Sequence, residues 1–107
     1  MISIVFHPDA AAEVAEAAGF YEGRSPGLGL ALLAEVERSL DQAAATPEAY
    51  PLIGKRVRRK PLGRFPYGLV YAVYPDRIRV VAFAHQRRRP FYWRKRLKDV
   101  SEGSTPT

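Results

Sequence analysis

Ile2, Ile4 and Phe6 alternate with polar or oppositely facing neighbours, the two-residue period of a half-buried strand, and predict a short first strand. From Pro8 the apolar period lengthens to that of a helix, with Ala10, Val14, Ala17, Ala18 and Tyr21 on one side. Proline is tolerated in a first helical turn and Asp9 complements the positive end of the dipole, so a helix is predicted from Pro8 to about Glu22. Ser25-Pro26 repeats the cap-plus-proline signal. Leu28, Leu32, Leu33, Val36, Leu40 and Ala43 or Ala44 then mark the buried stripe of a longer second helix, which Pro47 ends. With Gly23 and Arg24 alone between them, the helices are predicted to form an antiparallel hairpin, with Glu13, Glu16, Glu35, Glu37 and Asp41 facing water.

After a loop containing Pro47 and Pro51 the pattern becomes that of strands, at 56–60, 67–74 and 77–84. Pro75-Asp76 supplies the turn of the last pair, since proline is pre-set for the second position of a type I turn. Pro90 opens a short segment, 91–97, that Trp93 is expected to pack onto the sheet. The order predicts an α+β fold: a strand, a helical hairpin, then a three-stranded antiparallel meander with a short C-terminal segment, the hairpin on one face of the sheet and the other face free. One domain is expected over 1–98, and a disordered tail over 99–107, which lacks any apolar pattern.

Length supports this reading, because 107 residues bury roughly 65% of the unfolded surface around one core. There is no cysteine, which removes disulfides and thiolate metal sites and fits a cytoplasmic protein. The N-terminus reads as no signal peptide, and no apolar run approaches a bilayer span, so neither membrane nor secretion is expected. Charge changes the picture more. Residues 1–54 carry two basic against eight acidic residues, whereas 55–107 carry fifteen against three. A fold has no need to sort its charges in this way, so the split points to an acidic partner. By the two-residue period, Arg56, Arg58 and Lys60 point away from Val57 and lay a row of positive charge on one surface.

Metal chemistry is not expected, because His7 and His85 have no cysteines or clustered carboxylates at ligand spacing, and no cofactor motif is present. Arg58, Arg64, His85, Arg87, Arg88, Arg89 and Tyr92 remain. Attack of a ribose 2′-hydroxyl needs a base, an acid for the leaving oxygen and cations on the phosphate, which His, Tyr and Arg supply without a metal. The same residues also suit binding of nucleic acid or an acidic protein segment without cleavage. His85 reads either as a hydrogen-bonded structural or partner-contacting residue or as a general base. Arg87, Arg88 and Arg89 read as a functional surface because Arg58, Arg64 and 94–96 add to them on neighbouring elements.

The string Arg64-Phe65-Pro66-Tyr67-Gly68-Leu69-Val70-Tyr71, with His85-Gln86-Arg87-Arg88-Arg89-Pro90-Phe91-Tyr92-Trp93, resembles the RelE/ParE superfamily of bacterial toxins from type II toxin–antitoxin systems. Ile4 to Ala10 resembles the opening strand and helix start of that family, and the likeness covers residues 2–97. It implies a toxin that inhibits growth until the acidic C-terminal segment of a cognate antitoxin wraps it. Operator DNA is then met only through the antitoxin. Two targets are open: ribosome-bound mRNA, cut by RelE-like members, and DNA gyrase, inhibited by ParE-like members without nucleolysis. A non-toxic binding protein of the same fold is the third alternative.

On the nuclease reading, Arg56 and Arg58 resemble the cations of the central strands, Arg87 the strand-end arginine, and Tyr92 lies close to the family's tyrosine. His85, Tyr92 and Arg87 are then the catalytic candidates, and Arg56, Arg58, Arg64, Arg88 and Arg89 bind phosphate or antitoxin. The nuclease pattern has an arginine directly after the aromatic residue that opens the second-last strand, where this chain has Gly68. That departure favours non-nucleolytic action, ParE-like or on an undetermined target.

Overall fold

The computed structural model describes residues 2–98, so the expected tail at 99–107 lies outside the described residues. Its elements are β1 (Ser3–Phe6), α1 (Pro8–Arg24), α2 (Leu28–Ala45), a 3-10 turn (Pro47–Ala49), β2 (Val57–Pro61), β3 (Tyr67–Val73) and β4 (Arg77–His85). The strands form one sheet in the order β1-β4-β3-β2. The meander β2-β3-β4 is antiparallel, as the sequence predicts, and β1 joins it in parallel beside β4, pairing Ser3 with Arg77 and Phe6 with Val80.

His7 caps α1, its Nδ1 accepting from the Asp9 N–H at 3.0 Å, and Pro8 occupies the first turn as expected. The second helix starts later than Ser25-Pro26 implies. Ser25 closes α1, donating its N–H to the Tyr21 carbonyl, and α2 begins after Gly27, whose φ of 88° lies in the left-handed region that glycine tolerates. The turn brings the Glu22 carboxylate beneath the new helix, where it accepts from the N–H groups of Gly27 (2.9 and 3.1 Å) and Gly29 (3.0 Å). A carboxylate at the positive end of α2 does the work expected of a serine cap.

Small residues set the approach of the helices. Ala10 and Ala17 are buried on α1, and a Cβ at buried Gly29 would stand 2.6 Å from the Ala18 carbonyl oxygen. Gly29→Ala is therefore expected to cost about 1–3 kcal/mol, because backbone and not a movable side chain stands in the way. A Cβ at Gly19 meets nothing within 4 Å. Gly19→Ala should stabilise by about 0.5–1 kcal/mol through helix propensity alone. Urea titrations of the two variants check the opposite signs.

Leu32, Val36 and Ala43 are buried with Leu69, Tyr71, Ile78, Val80 and Phe83 in the core between hairpin and sheet. Tyr71 donates its hydroxyl to the Pro47 carbonyl at 2.8 Å, and burial pushes that phenol up to about 12. Three details depart from the expected stripe. Leu33 is exposed, Glu35 is buried, and Glu13 is half-buried. Glu35 turns inward because it has donors to meet, accepting from the N–H groups of Gly63 and Arg64 and fixing the loop before β3.

The opposite face of the sheet is also covered in part. Trp93 is buried there against Val57, Val70, Val81, Ala82 and Ala84, as its expected packing role requires, and Ile53, Tyr74, Tyr92 and Leu97 surround it. The free face expected from the element order is thus a second, smaller core capped by the C-terminal segment. No helix among the described residues is long and apolar enough to cross a membrane.

Candidate functional site

Where β1 ends opposite Val80, the rest of β4 has no strand among the described residues beside it on that edge, and its main-chain groups need partners. Side chains supply them. The Phe83 N–H donates to Glu13 at 2.9 Å, and the Val81 carbonyl accepts from Arg96 at 2.9 Å. Arg96 also grips the Glu13 carboxylate with two nitrogens, at 2.9 and 3.0 Å, and the Tyr92 hydroxyl donates to the same carboxylate at 3.0 Å. Glu13 thereby joins α1, β4 and the C-terminal segment at one point. Burial pushes its carboxyl up, but the hydrogen bonds from Arg96, the Phe83 N–H and Tyr92 outweigh this and hold it below the ordinary value. Tyr92 moves the other way: burial first, and then the Glu13 charge, hold its phenol well above the usual range.

A register shift in the sheet places His85. Val70 pairs with Ala82 and Tyr71 with Val80, so Val81 is the extra residue of a β-bulge and the facing of β4 inverts beyond it. Ile78, Val80 and Phe83 consequently point to the helices, and His85 follows Phe83 to that side. There its ring meets Tyr67 edge-on at 5.0 Å, and Tyr67 stacks on Phe83 at 4.6 Å. The His85 Nδ1 accepts from the Arg87 N–H at 3.0 Å. His85 and Arg88 border two clefts. One, of about 300 Å³, lies on the hairpin side beside Glu13, Glu16 and Phe20. The other, of about 320 Å³, lies on the opposite face, walled by Val70, Ala84, Phe91 and Trp93, with Arg59, Arg88 and Arg89 at its rim.

The expected cation row on the strand at 56–60 is divided by the fold. Arg58 pairs with Tyr71, on the hairpin side, and donates to the carbonyls of Glu48 (3.1 Å) and Tyr50 (2.8 Å), clamping the loop after α2. Arg56 precedes β2 and lies over the Tyr74 ring at 5.7 Å, lining a neighbouring cleft with Trp93 and Arg94. Arg64 stands over Phe65, and Arg87 is exposed; neither lines the 320 Å³ cleft. His85, Arg88, Arg89 and Tyr92 are brought together around it.

Four further residues shape this region, Arg59 and Phe91 at the cleft and Glu13 and Arg96 at the β4 edge. Arg59 faces the cleft because it alternates with Arg58 and Lys60, and the same period-two rule that places Val57 on that face would have found it. Its guanidinium lies over Gly68: a Cβ there would be 2.5 Å from the Arg59 Cζ. The glycine that departs from the nuclease pattern therefore has an arginine of the adjacent strand above it. Glu13 and Arg96, the hub of the β4 edge, carry no sequence signal of pairing at a separation of 83 residues. Phe91 adopts a φ of 61°, an uncommon left-handed conformation for a bulky residue, at the point where the chain turns back beneath the cleft.

Among the described residues no group of three or more His, Cys, Asp or Glu side chains could hold a metal ion. The arrangement offers cations at the rim of an apolar cleft.

Residues 4–90 match the family model described as the ParE toxin of the type II toxin–antitoxin system parDE. A solved structure described as the chromosomal ParDE toxin–antitoxin system from P. aeruginosa has the same fold, with a TM-score of 0.70 at 18% identity, over 79% of this chain and 96% of that one. No curated protein sequence matches the chain.

Proposed function

The chain belongs to the ParE toxin family of type II toxin–antitoxin systems, and from that premise we propose that it arrests growth by binding its target, without cutting RNA, until a cognate antitoxin neutralises it. The observation that carries this reading is the hydrogen bond of the Tyr92 hydroxyl to Glu13. The proton that a nuclease would deliver to the leaving oxygen is committed to a structural carboxylate, and both burial and the Glu13 charge oppose its release. Two further candidates are engaged in the same way: His85 accepts a main-chain N–H, and Arg58 holds two loop carbonyls. DNA gyrase is the target this ParE-like action implies, and the surface that meets it is the Arg88–Arg89 side of the C-terminal segment.

Expression of the chain alone should stop growth, and co-expression of the antitoxin encoded beside it should restore growth. His85→Ala and Tyr92→Phe are expected to retain at least half of the arrest, while mapped mRNA ends stay unphased and plasmid supercoiling falls. Codon-phased mRNA cleavage that disappears in His85→Ala would reverse the assignment in favour of the RelE-like nuclease. A culture that grows normally while the soluble chain accumulates would leave only a non-toxic binding protein of this fold.

A further inference from the structure

The 320 Å³ cleft has apolar walls and a cationic rim, and no acidic residue among the described residues lines it. Two kinds of acidic partner suit such a rim, a single-stranded nucleic acid and an acidic peptide, and the aromatic side chains separate them. Binding of single strands relies on open aromatic faces on which bases stack. Here the chain's own arginines take those faces. Arg88 lies 3.9 Å and Arg96 5.1 Å from the Tyr92 ring centroid, Arg94 lies 5.2 Å from that of Phe91, and Trp93 is buried. What is left open is the apolar pit between Val70, Ala84 and Trp93, beneath the guanidinium of Arg59.

Arg59 differs from its neighbours in the strand. Arg58 is spent on two carbonyls and Lys60 reaches the Pro61 carbonyl, whereas the Arg59 N–H donates to the Pro51 carbonyl and no acceptor among the described residues takes a hydrogen bond from the Arg59 guanidinium. Gly68 gives its guanidinium a flat main-chain floor and holds it over the cleft mouth, with Nε and Nη2 each 2.7 Å from where a Cβ would be. A fork-shaped donor laid against main chain on one side, and without a hydrogen-bond acceptor among the described residues, is suited to bidentate capture of a carboxylate.

We propose that this cleft is the anchoring point for the acidic segment of the antitoxin, one apolar side chain of the segment entering between Val70 and Trp93 and an adjacent carboxylate pairing with Arg59. The inference rests on the antitoxin partnership of the previous section and names the residue that secures it. Gly68 acts as a positioning residue for Arg59.

The purified full chain is titrated calorimetrically with the antitoxin encoded beside it and, separately, with a twelve-nucleotide oligouridylate. Arg59→Gln should weaken antitoxin binding by about 10–100-fold, the loss of one charge-assisted pair. Gly68→Ala keeps every charge but its Cβ displaces the mobile end of Arg59, and it should weaken binding in the same direction with an unchanged thermal midpoint. Adding Gly68→Ala to Arg59→Gln should bring no further loss, because both act on one guanidinium. If the wild type binds antitoxin and both variants bind it equally well, the anchor is not Arg59 and the proposal fails while the partnership stands. A wild type that ignores the antitoxin removes the partnership itself. Oligouridylate binding that is equally sensitive to Arg59→Gln would assign the cleft to nucleic acid and overturn the proposal.

Discussion

Trp93→Ala is expected to lower the free energy of unfolding by about 3–5 kcal/mol, the range for removing a buried aromatic side chain. Trp93 is only 5% exposed and is the largest buried side chain of the second core among the described residues, whose other buried members are Val57, Val70, Val81, Ala82 and Ala84. None of these can grow into the space it leaves. The strands they occupy are fixed on their other face by Leu69, Tyr71 and Phe83, so the sheet cannot collapse toward the hole. The expected result is a shifted denaturant midpoint with an unchanged slope, followed by far-UV circular dichroism because Trp93 is the chain's single tryptophan. A cost below about 1 kcal/mol would mean that the C-terminal segment is not seated on the sheet as described. The functional consequence follows from the same geometry. Trp93 is a wall of the cleft beneath Arg59, so the variant should also lose antitoxin affinity, and more than Arg59→Gln does, since both the pit and the segment carrying Arg88 and Arg89 are displaced.

Both helices, the antiparallel meander and the role of Trp93 were legible in the sequence because each rests on a local period or a local signal: apolar spacing in the helices, Pro75-Asp76 at the last turn, an aromatic cluster after Pro90. Single events that invert a period were not. The bulge at Val81 turns His85 to the hairpin side, and nothing in a run of valines and alanines marks which residue is extra. Nor does alternation say which face of the strand is the functional one. Alternation puts Arg56, Arg58 and Lys60 in one row, yet Arg58 is consumed by loop carbonyls whereas Arg59, one residue away, overlooks the cleft. Glu13 and Glu35 read as solvated helix residues because their partners, Arg96 and the Gly63–Arg64 N–H groups, are distant in sequence. Capping shows the same limit. Ser25-Pro26 carries the usual start signal, but the turn at Gly27 delivers a stronger acceptor, Glu22, from the preceding helix.

Glu13→Ala should destabilise the chain by about 3 kcal/mol, the cost of leaving one member of a largely desolvated ion pair without its partner. The Glu13 and Arg96 side chains are 16% and 14% exposed, so solvent screens the pair little. The loss extends past Arg96, since the Tyr92 hydroxyl and the Phe83 N–H lose their acceptor together and the edge of β4 is left open. The pH dependence carries a definite sign. Burial acts to raise the Glu13 carboxyl, but hydrogen bonds hold it below 4.5 in the folded chain, so its contribution is complete above about that pH and is lost as pH falls through the lower folded value. Glu13→Gln should therefore be less stable than the wild type at pH 7, and the difference should shrink toward pH 3; a difference that grows on acidification would mean the carboxylate is not the stabilised form. Combining Glu13→Ala with Trp93→Ala separates two accounts of the C-terminal segment. If it docks as one unit, held to β4 by Glu13 and to the sheet face by Trp93, the first substitution already frees it and the second adds less than its full cost. The double variant should then fall short of additivity by more than about 0.5 kcal/mol. Simple additivity would mean that the edge latch and the face anchor act separately, leaving the walls of the Arg59 cleft free to move without the Tyr92–Glu13 hydrogen bond opening.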